Sequence, residues 1–421
     1  MEEFDMKKLL VVLLALGLVL GFSMTAAATD LSVSGSYWVR GYYASNWALL
    51  DEAAGGEVNT DFYAQRLRVS PVFNVAEGLT LTTRFDALER VWGVAGISDA
   101  NLGSQNVRFG RAYVTYKSPI GKFDIGYMAG GAWGTVFQDD TADGVPRIKY
   151  TGVFGPVIVL ALTEKGTEKD AVAGTKDSDY DKYAIAGIYK WDGGQAGLLY
   201  YYLPNKAVAE NLDFTRHYVA PYFKANFGPL YLEGEASYYG GTKDFDAGAD
   251  IDLEGYSWYL YGKYNMGPAY VGFQYAHVDG DDPTTLNDEE NGYPDSADWD
   301  PCLILFDYWT ATYMGALGGQ VGNLGLTNGN LYQVFGGFSP MENLTVAASL
   351  TMADADEKPL NYVEDDYGTE FDVTLTWKIV DNLEYMAGFG YLWTGDYFKG
   401  TSAATQIEDT YLLMHKLQLN F

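Results

Sequence analysis

Nine arginines are the most unevenly spread chemistry in this sequence: Arg40, Arg66, Arg68, Arg84, Arg90, Arg108, Arg111, Arg147 and Arg216. Eight of them precede residue 150. Arg66 with Arg68, and Arg84 with Arg90, are separated by even numbers, so on extended chain each pair projects from one face. Guanidinium stays charged, and its planar fork suits carboxylate or phosphate. Ion pairs with Asp86, Glu89 or Asp124 would be a purely structural use of the same residues. A second segment, 130–144, is glycine-rich and holds Asp139, Asp140 and Asp143 in its second half. A third, 280–328, opens with acids that include Asp281, Asp282, Asp288, Asp298 and Asp300 and continues into the apolar run 301–306. Its acids could hold calcium, but the spacing is not that of an EF-hand, and solvated surface charge is the alternative.

Catalytic chemistry is poorly represented. The three histidines, His217, His277 and His415, have no local serine or acid arrangement beyond chance, although sequence leaves a spatial triad open, and no GxSxG, phosphate-loop or HExxH motif occurs. The chain therefore reads as no enzyme, with no catalytic residue, cofactor or metal centre expected. Cys302, the single cysteine, excludes an intrachain disulfide and a cysteine metal cluster. A net charge of -29 argues against nucleic acid as a partner.

The elements that must position these residues are strands. Residues 1–28 resemble a secretory leader: Met6-Lys7-Lys8, an apolar stretch over 9–21, and Ala26-Ala27-Ala28 before the cleavage point. A membrane anchor is the alternative, but the apolar stretch is short for one. The acidic residues before Met6 leave open whether Met1 or Met6 is the start. The expected mature domain, 29–421, has no other long apolar run, yet 16% of the chain is aromatic and it holds 35 tyrosines and 49 glycines. Alternation replaces the apolar run. Leu79, Leu81, Phe85 and Phe371, Val373, Leu375, Trp377 are apolar at odd positions, with polar residues between them. In a wide transmembrane barrel the apolar parity meets lipid and the polar parity meets water.

Turn residues give the count. Tight turns are expected at 76–78, 119–121, 155–156, 192–194, 228–229, 267–268, 340–343 and 381–382, from Gly, Pro, Asn and Asp. Longer polar stretches fall near 45–60, 93–105, 130–145, 165–179, 204–214, 240–253, 280–328, 354–367 and 395–408. Eight tight turns alternating with nine long loops predict an all-β, up-and-down antiparallel barrel of eighteen strands, both ends on one side. Sixteen is the nearest alternative, if a weak hairpin over 146–164 is misread. Trp38, Tyr42, Tyr218, Tyr222, Tyr259 and Tyr261 have lumen parity, whereas Tyr37, Tyr43, Tyr127, Phe227, Tyr231, Tyr385, Phe389 and Phe421 fit aromatic girdles.

The last strand, with Tyr411, Leu413, Leu417, Leu419 and a terminal Phe421 on one parity, is similar to the assembly signal of bacterial outer-membrane barrels. With the 130–144 segment, the chain resembles the Gram-negative porin superfamily. The resemblance implies a third outer loop folded into the barrel, its acids facing a ladder of wall arginines. Asp139, Asp140 and Asp143 would be the acidic side of that constriction, and Arg40, Arg66, Arg68, Arg84 and Arg108 the basic side. It further implies a bacterial outer-membrane location, outer-membrane lipid and lipopolysaccharide as surroundings, and a homotrimer or a monomer. The function expected is passive diffusion of small hydrophilic solutes and ions. A channel selective for sugars or carboxylates is one alternative. A structural or adhesive barrel with cation- or lipopolysaccharide-binding loops is the other. The 280–328 loop, long and with its own apolar run, is expected to cap the mouth or enter the lumen.

Overall fold

A computed structural model describes residues 30–51, 59–93, 107–138, 140–169, 179–206, 212–285, 288–290, 292, 298–319 and 325–421, without the side chains of 140–143, 213 and 290. The expected leader 1–28 lies outside the described residues.

The strands are β1 (Asp30–Ser45), β2 (Thr60–Ala76), β3 (Leu79–Val91), β4 (Val107–Ser118), β5 (Gly121–Gly131) and β6 (Asp140–Phe154). Next come β7 (Val157–Thr167), β8 (Tyr180–Trp191), β9 (Gly194–Asn205), β10 (Leu212–Phe227), β11 (Leu230–Phe245), β12 (Ile251–Met266) and β13 (Ala269–Val278). After a short β14 (Asp288–Glu290) and one helix, α1 (Tyr308–Met314), follow β15 (Gly329–Met341), β16 (Leu344–Asp354), β17 (Asp366–Val380), β18 (Leu383–Thr394) and β19 (Thr410–Asn420). Neighbours pair antiparallel, β13 pairs directly with β15, and β19 returns to β1 from Ser36↔Asn420 to Ser45↔Tyr411. Setting aside β14, which only lies parallel along the outer end of β12, this is a closed barrel of eighteen strands. The sixteen-strand alternative is excluded by the full β6–β7 hairpin, paired from Arg147↔Glu164 to Phe154↔Val157.

The tight turns are built as their residues predict. Gly155, Gly193, Gly228 and Gly267 take φ between +59° and +86°, a region that strains any residue with a Cβ. Strand ends differ more. The expected loop over 240–253 shrinks to a short turn, because β11 and β12 run on as a paired hairpin to Lys243↔Ile251. Expected strand six, 146–153, begins instead at Asp140. The β6 extension over 140–145 is mostly polar and carries little alternation, whereas Ile251 and Leu253 at the start of β12 alternate with Asp252 and Glu254 within the stretch expected as loop.

The usual placement of apolar residues is inverted. Phe371, Val373, Leu375 and Trp377 sit on the outer face of β17, while Glu370 and Asp372 are buried on the inner face. Val334, Leu350, Phe389 and Leu413 are likewise exposed on the outside. An apolar surface this continuous is one for lipid. No described helix is long and apolar enough to cross a membrane. The largest cluster of buried apolar residues lies inside the barrel, where Cys302, Ile304, Leu305 and Phe306 pack against Tyr42, Tyr259, Leu331, Leu392 and Leu412 of the wall.

The outer face should therefore resist charge. Val334, 58% exposed at mid-strand in β15, replaced by Arg should destabilise insertion by about 2–4 kcal/mol, read from denaturant titration of folding into vesicles. An equal stability would mean that this face does not meet lipid.

Candidate functional site

Strand register brings the arginines to one wall. Trp38 and Arg66 are direct partners, as are Ser36 and Arg68. Across β2–β3, Arg68 faces Asp86, and across β3–β4, Asp86 faces Arg108 and Arg84 faces Arg111. Directly opposed residues share a face, so Arg66, Arg68, Arg84, Arg108 and Arg111 line the lumen beside Arg40 of β1. A register shift between Arg84 and Phe85 lets both Arg108 and Arg111 point inward despite their odd spacing. Gly110 makes room there, since a Cβ on it would lie 2.8 Å from the Arg84 guanidinium. The shift between Gln65 and Leu67 does the opposite to Arg90, which pairs with outward-facing Gln65. Arg90 thus leaves the lumen face on which simple alternation places it.

Some of this charge is neutralised in the wall. Arg68 makes a two-pronged contact to Asp86 at 2.7 and 2.8 Å, and Arg66 reaches Glu89 at 3.5 Å. Asp124 belongs to a different group, paired with Lys122 at 2.8 Å and near Lys149 at 3.7 Å.

Two loops enter the lumen. The third outer loop leaves β5 at Gly131 and crosses to the opposite wall. Trp133 donates to the Ala220 carbonyl at 3.0 Å, and Thr135 donates through N–H and hydroxyl to Glu235, each at 2.7 Å. Phe137, fully buried, stacks on Tyr259 at 5.1 Å and meets Trp299 edge-on. Gly134 is needed for this seat. Its φ is +69°, and a Cβ would sit 1.8 Å from a Glu235 oxygen.

The second loop, 298–319, is the apolar run within 280–328, and it enters the lumen rather than capping the mouth. Its anchor is Glu370, whose carboxylate accepts the backbone N–H groups of Leu303, Ile304 and Leu305 at 3.0, 2.8 and 2.7 Å. From there Asp307 caps α1, and Trp309 on that helix inserts between two arginines. Arg40 lies 4.8 Å and Arg66 4.9 Å from the Trp309 ring, with Trp38 behind them. Asp300 and Asp307 act electrostatically on Arg40, and Asp298 on Arg68 and Arg111. Burial pushes both Asp300 and Asp307 above the ordinary carboxylate range, and the neighbouring Asp307 carboxylate raises Asp300 further.

Acids opposite the arginines thus come from 298–307. Asp139 lies outside the described residues, and Asp140 and Asp143 belong to β6, with side chains outside the description. The sequence signal for the second loop was the apolar run placed within an acidic stretch. Trp309 and Glu370 carried no such signal, and Arg111, one of the nine arginines, is set off the lumen parity by its odd spacing from Arg108. The lumen aromatics Tyr42, Tyr218, Tyr222 and Tyr259 face inward as expected, but they support the loops, as Tyr222 does against Trp133 at 5.1 Å. Tyr231 is a correction. It shares the inner face with Glu233, to which its hydroxyl donates at 2.6 Å, and so leaves the girdle.

Space remains beside the loops. A chamber of about 600 Å³ lies between the third loop and the wall from β4 to β11, lined by Arg111, Arg147, Lys182, Leu160 and Tyr201 among others. Another of about 390 Å³ lies under residues 298–301 against Tyr261, Lys263 and Phe335.

No family model matches the sequence, and no curated protein matches it. Solved structures do. The fold is that of outer-membrane porins. The chain is similar to OccAB1 of Acinetobacter baumannii, with 17% identity, TM-score 0.54, 92% of this chain and 96% of that one covered. It is similar to OpdK of Pseudomonas aeruginosa, solved with vanillate, at 12% identity and TM-score 0.52, covering 93% and 99%. A BenF-like porin from Pseudomonas fluorescens Pf-5 gives 11% identity and TM-score 0.52, covering 93% and 99%. The architecture is that of a multi-pass β-barrel of the bacterial outer membrane.

The Glu370 anchor sets a test. Glu370→Ala leaves three loop N–H groups without their acceptor, each a loss of about 1–3 kcal/mol. The barrel should still assemble, and single-channel current should rise and become noisier as 298–319 leaves its seat. Unchanged current would place the narrow part elsewhere.

Proposed function

We propose that this chain is a passive diffusion channel for small hydrophilic solutes and ions, with its selective part between the β1–β4 wall and the 298–319 loop. One observation carries the reading: charge is sorted across the lumen. Arg40, Arg66, Arg68, Arg84, Arg108 and Arg111 stand on one wall, only partly offset by Asp86 and Glu89, and Asp298, Asp300 and Asp307 stand on the loop beside them. Asp139, Asp140 and Asp143 are proposed to extend the acidic side from the end of the third loop. A field of this kind, between low-dielectric walls, orders dipolar solutes and disfavours apolar ones.

A second reading, selectivity for carboxylates, is favoured by the surplus of arginine over acid on the wall. Guanidinium edges offer paired donors that match a carboxylate. Planar-bilayer recording tests both. Steps of conductance are expected, and a silent reconstituted protein would overturn both in favour of a structural barrel. Saturable block by a carboxylate would establish the second reading, and strictly linear flux would remove it.

Reversal potential in a salt gradient reads the sign of the wall. Arg66→Glu combined with Arg84→Glu should move the preference from anions toward cations. No movement would mean that these arginines do not line the narrow part.

The pH dependence has a definite direction. Asp300 and Asp307 take up a proton at higher pH than exposed carboxylates, while arginine stays charged. Lowering the pH therefore removes negative charge first, and anion preference should rise before the ordinary carboxylate range near pH 4 is reached. Asp300→Asn should diminish that early step in reversal potentials measured against pH, leaving the part due to Asp307.

A further inference from the structure

His277 lies at the outer end of β13, one residue before the strand stops at Val278. Gln274, Ala276 and Val278 face the lumen core, so His277 and Tyr275 take the outer face. The imidazole is stacked on Trp258 at 4.3 Å, and the side chain is 9% exposed. Three chain segments meet at its edge: Asp279 just beyond β13, Asn330 at the start of β15, and Asp356 just beyond β16. One ligand atom from each of His277, Asp279 and Asp356 lies within 4.8 Å of the others.

Both carboxylates are oriented before any ligand arrives. The Asp279 Oδ2 accepts the Tyr256 backbone N–H at 2.6 Å, and the Asp356 Oδ2 accepts the Gly280 backbone N–H at 3.0 Å. Each Oδ1 is thereby turned toward the ring. Asp279 Oδ1 lies 2.7 Å from Nε2, and Asp356 Oδ1 3.8 Å from Nδ1. Neither acid pairs with a lysine or arginine among the described residues.

The ring's own proton is placed by Asn330. Its amide nitrogen donates to Asp354 at 3.0 Å, which leaves its Oδ1 to accept from the Tyr275 hydroxyl at 3.1 Å and from His277 Nδ1–H at 2.9 Å. Turning the amide over would set its oxygen against the Asp354 carboxylate. Nδ1 is therefore the protonated nitrogen, and in the neutral ring Nε2 carries a lone pair. That lone pair faces Asp279 Oδ1 at 2.7 Å. A cation seated among the ring nitrogen and the two carboxylates would meet a ligand atom from each, and a histidine whose far N–H is held by an amide oxygen is the usual form of a metal ligand.

We propose that His277, Asp279 and Asp356 bind one divalent transition-metal ion at the outer rim of the barrel. One imidazole nitrogen with two carboxylates suits zinc or manganese better than calcium, which takes an all-oxygen shell. The ion fastens the root of the loop that carries α1 into the lumen to the segment between β16 and β17. The site is distinct from the arginine wall and does not depend on what the channel passes.

The test is calorimetric titration of the full-length, chelator-treated protein in detergent with ZnCl2, and in parallel with CaCl2. One zinc per chain is expected, with calcium bound at least about tenfold more weakly. His277→Gln and Asp279→Asn should each weaken zinc binding by more than about tenfold, and Asn330→Ala by about tenfold through loss of proton placement. Asp281→Asn, an acid of the same loop outside the ligand set, should leave it unchanged. Heat-modifiable gel mobility verifies that each variant is a folded barrel. X-ray absorption at the zinc edge of the unmutated protein gives a reading independent of the variants, with one imidazole expected in the shell. Absence of stoichiometric zinc, an all-oxygen shell, or equal affinity in His277→Gln and Asp279→Asn would each overturn the proposal.

Discussion

A backbone N–H or C=O in hydrocarbon has no water to turn to, and this constraint sets everything else in the chain. It is met by pairing every wall strand with two neighbours and by returning β19 to β1, where even Phe421 exchanges backbone hydrogen bonds with Gly35 at 3.0 and 2.7 Å. Closure fixes one face of each strand to lipid and the other to the lumen. The polar residues of the alternation then have nowhere to go but inward. Arginines spread over β1 to β4 in the sequence are thus delivered to a single wall.

Once the wall exists, the lumen behaves as the interior of a soluble protein. Two loops bury apolar side chains there, and each is seated by a carboxylate on a strand: Glu235 for the third loop and Glu370 for the 298–319 loop. Glu370 holds three backbone N–H groups, and Glu235 one N–H and one hydroxyl, which fixes position and direction of chain that has little regular structure of its own. Open space remains beside the loops, along Arg111 and Arg147 and under residues 298–301.

The barrel was legible because its signal is local. Alternation such as Phe371, Val373, Leu375, Trp377, and turns such as Gly228-Pro229, need only a few residues to be read. Parity counting fails where a bulge intervenes, which is why Arg90 leaves the lumen and Arg111 joins it. Loop destinations were less legible, since they depend on distant partners. Leu305 finds Glu370 across 65 positions, and Phe137 finds Tyr259 and Trp299 from yet other segments. The apolar residues of 300–306 announced that this stretch packs somewhere, without saying against what.

Phe137 has a mechanical side as well. A ring of eighteen strands is a soft hoop that lateral pressure in a bilayer can squeeze into an ellipse. The third loop leaves the hoop at β5 and is fastened at Ala220, Glu235 and Tyr259, on strands that lie across from it. The 298–319 loop meets it there through Trp299 and is itself tied to β17. Together they form a crossbeam. The residues that seat the two loops thereby tie β5, β10–β12 and β17 to one another across the lumen.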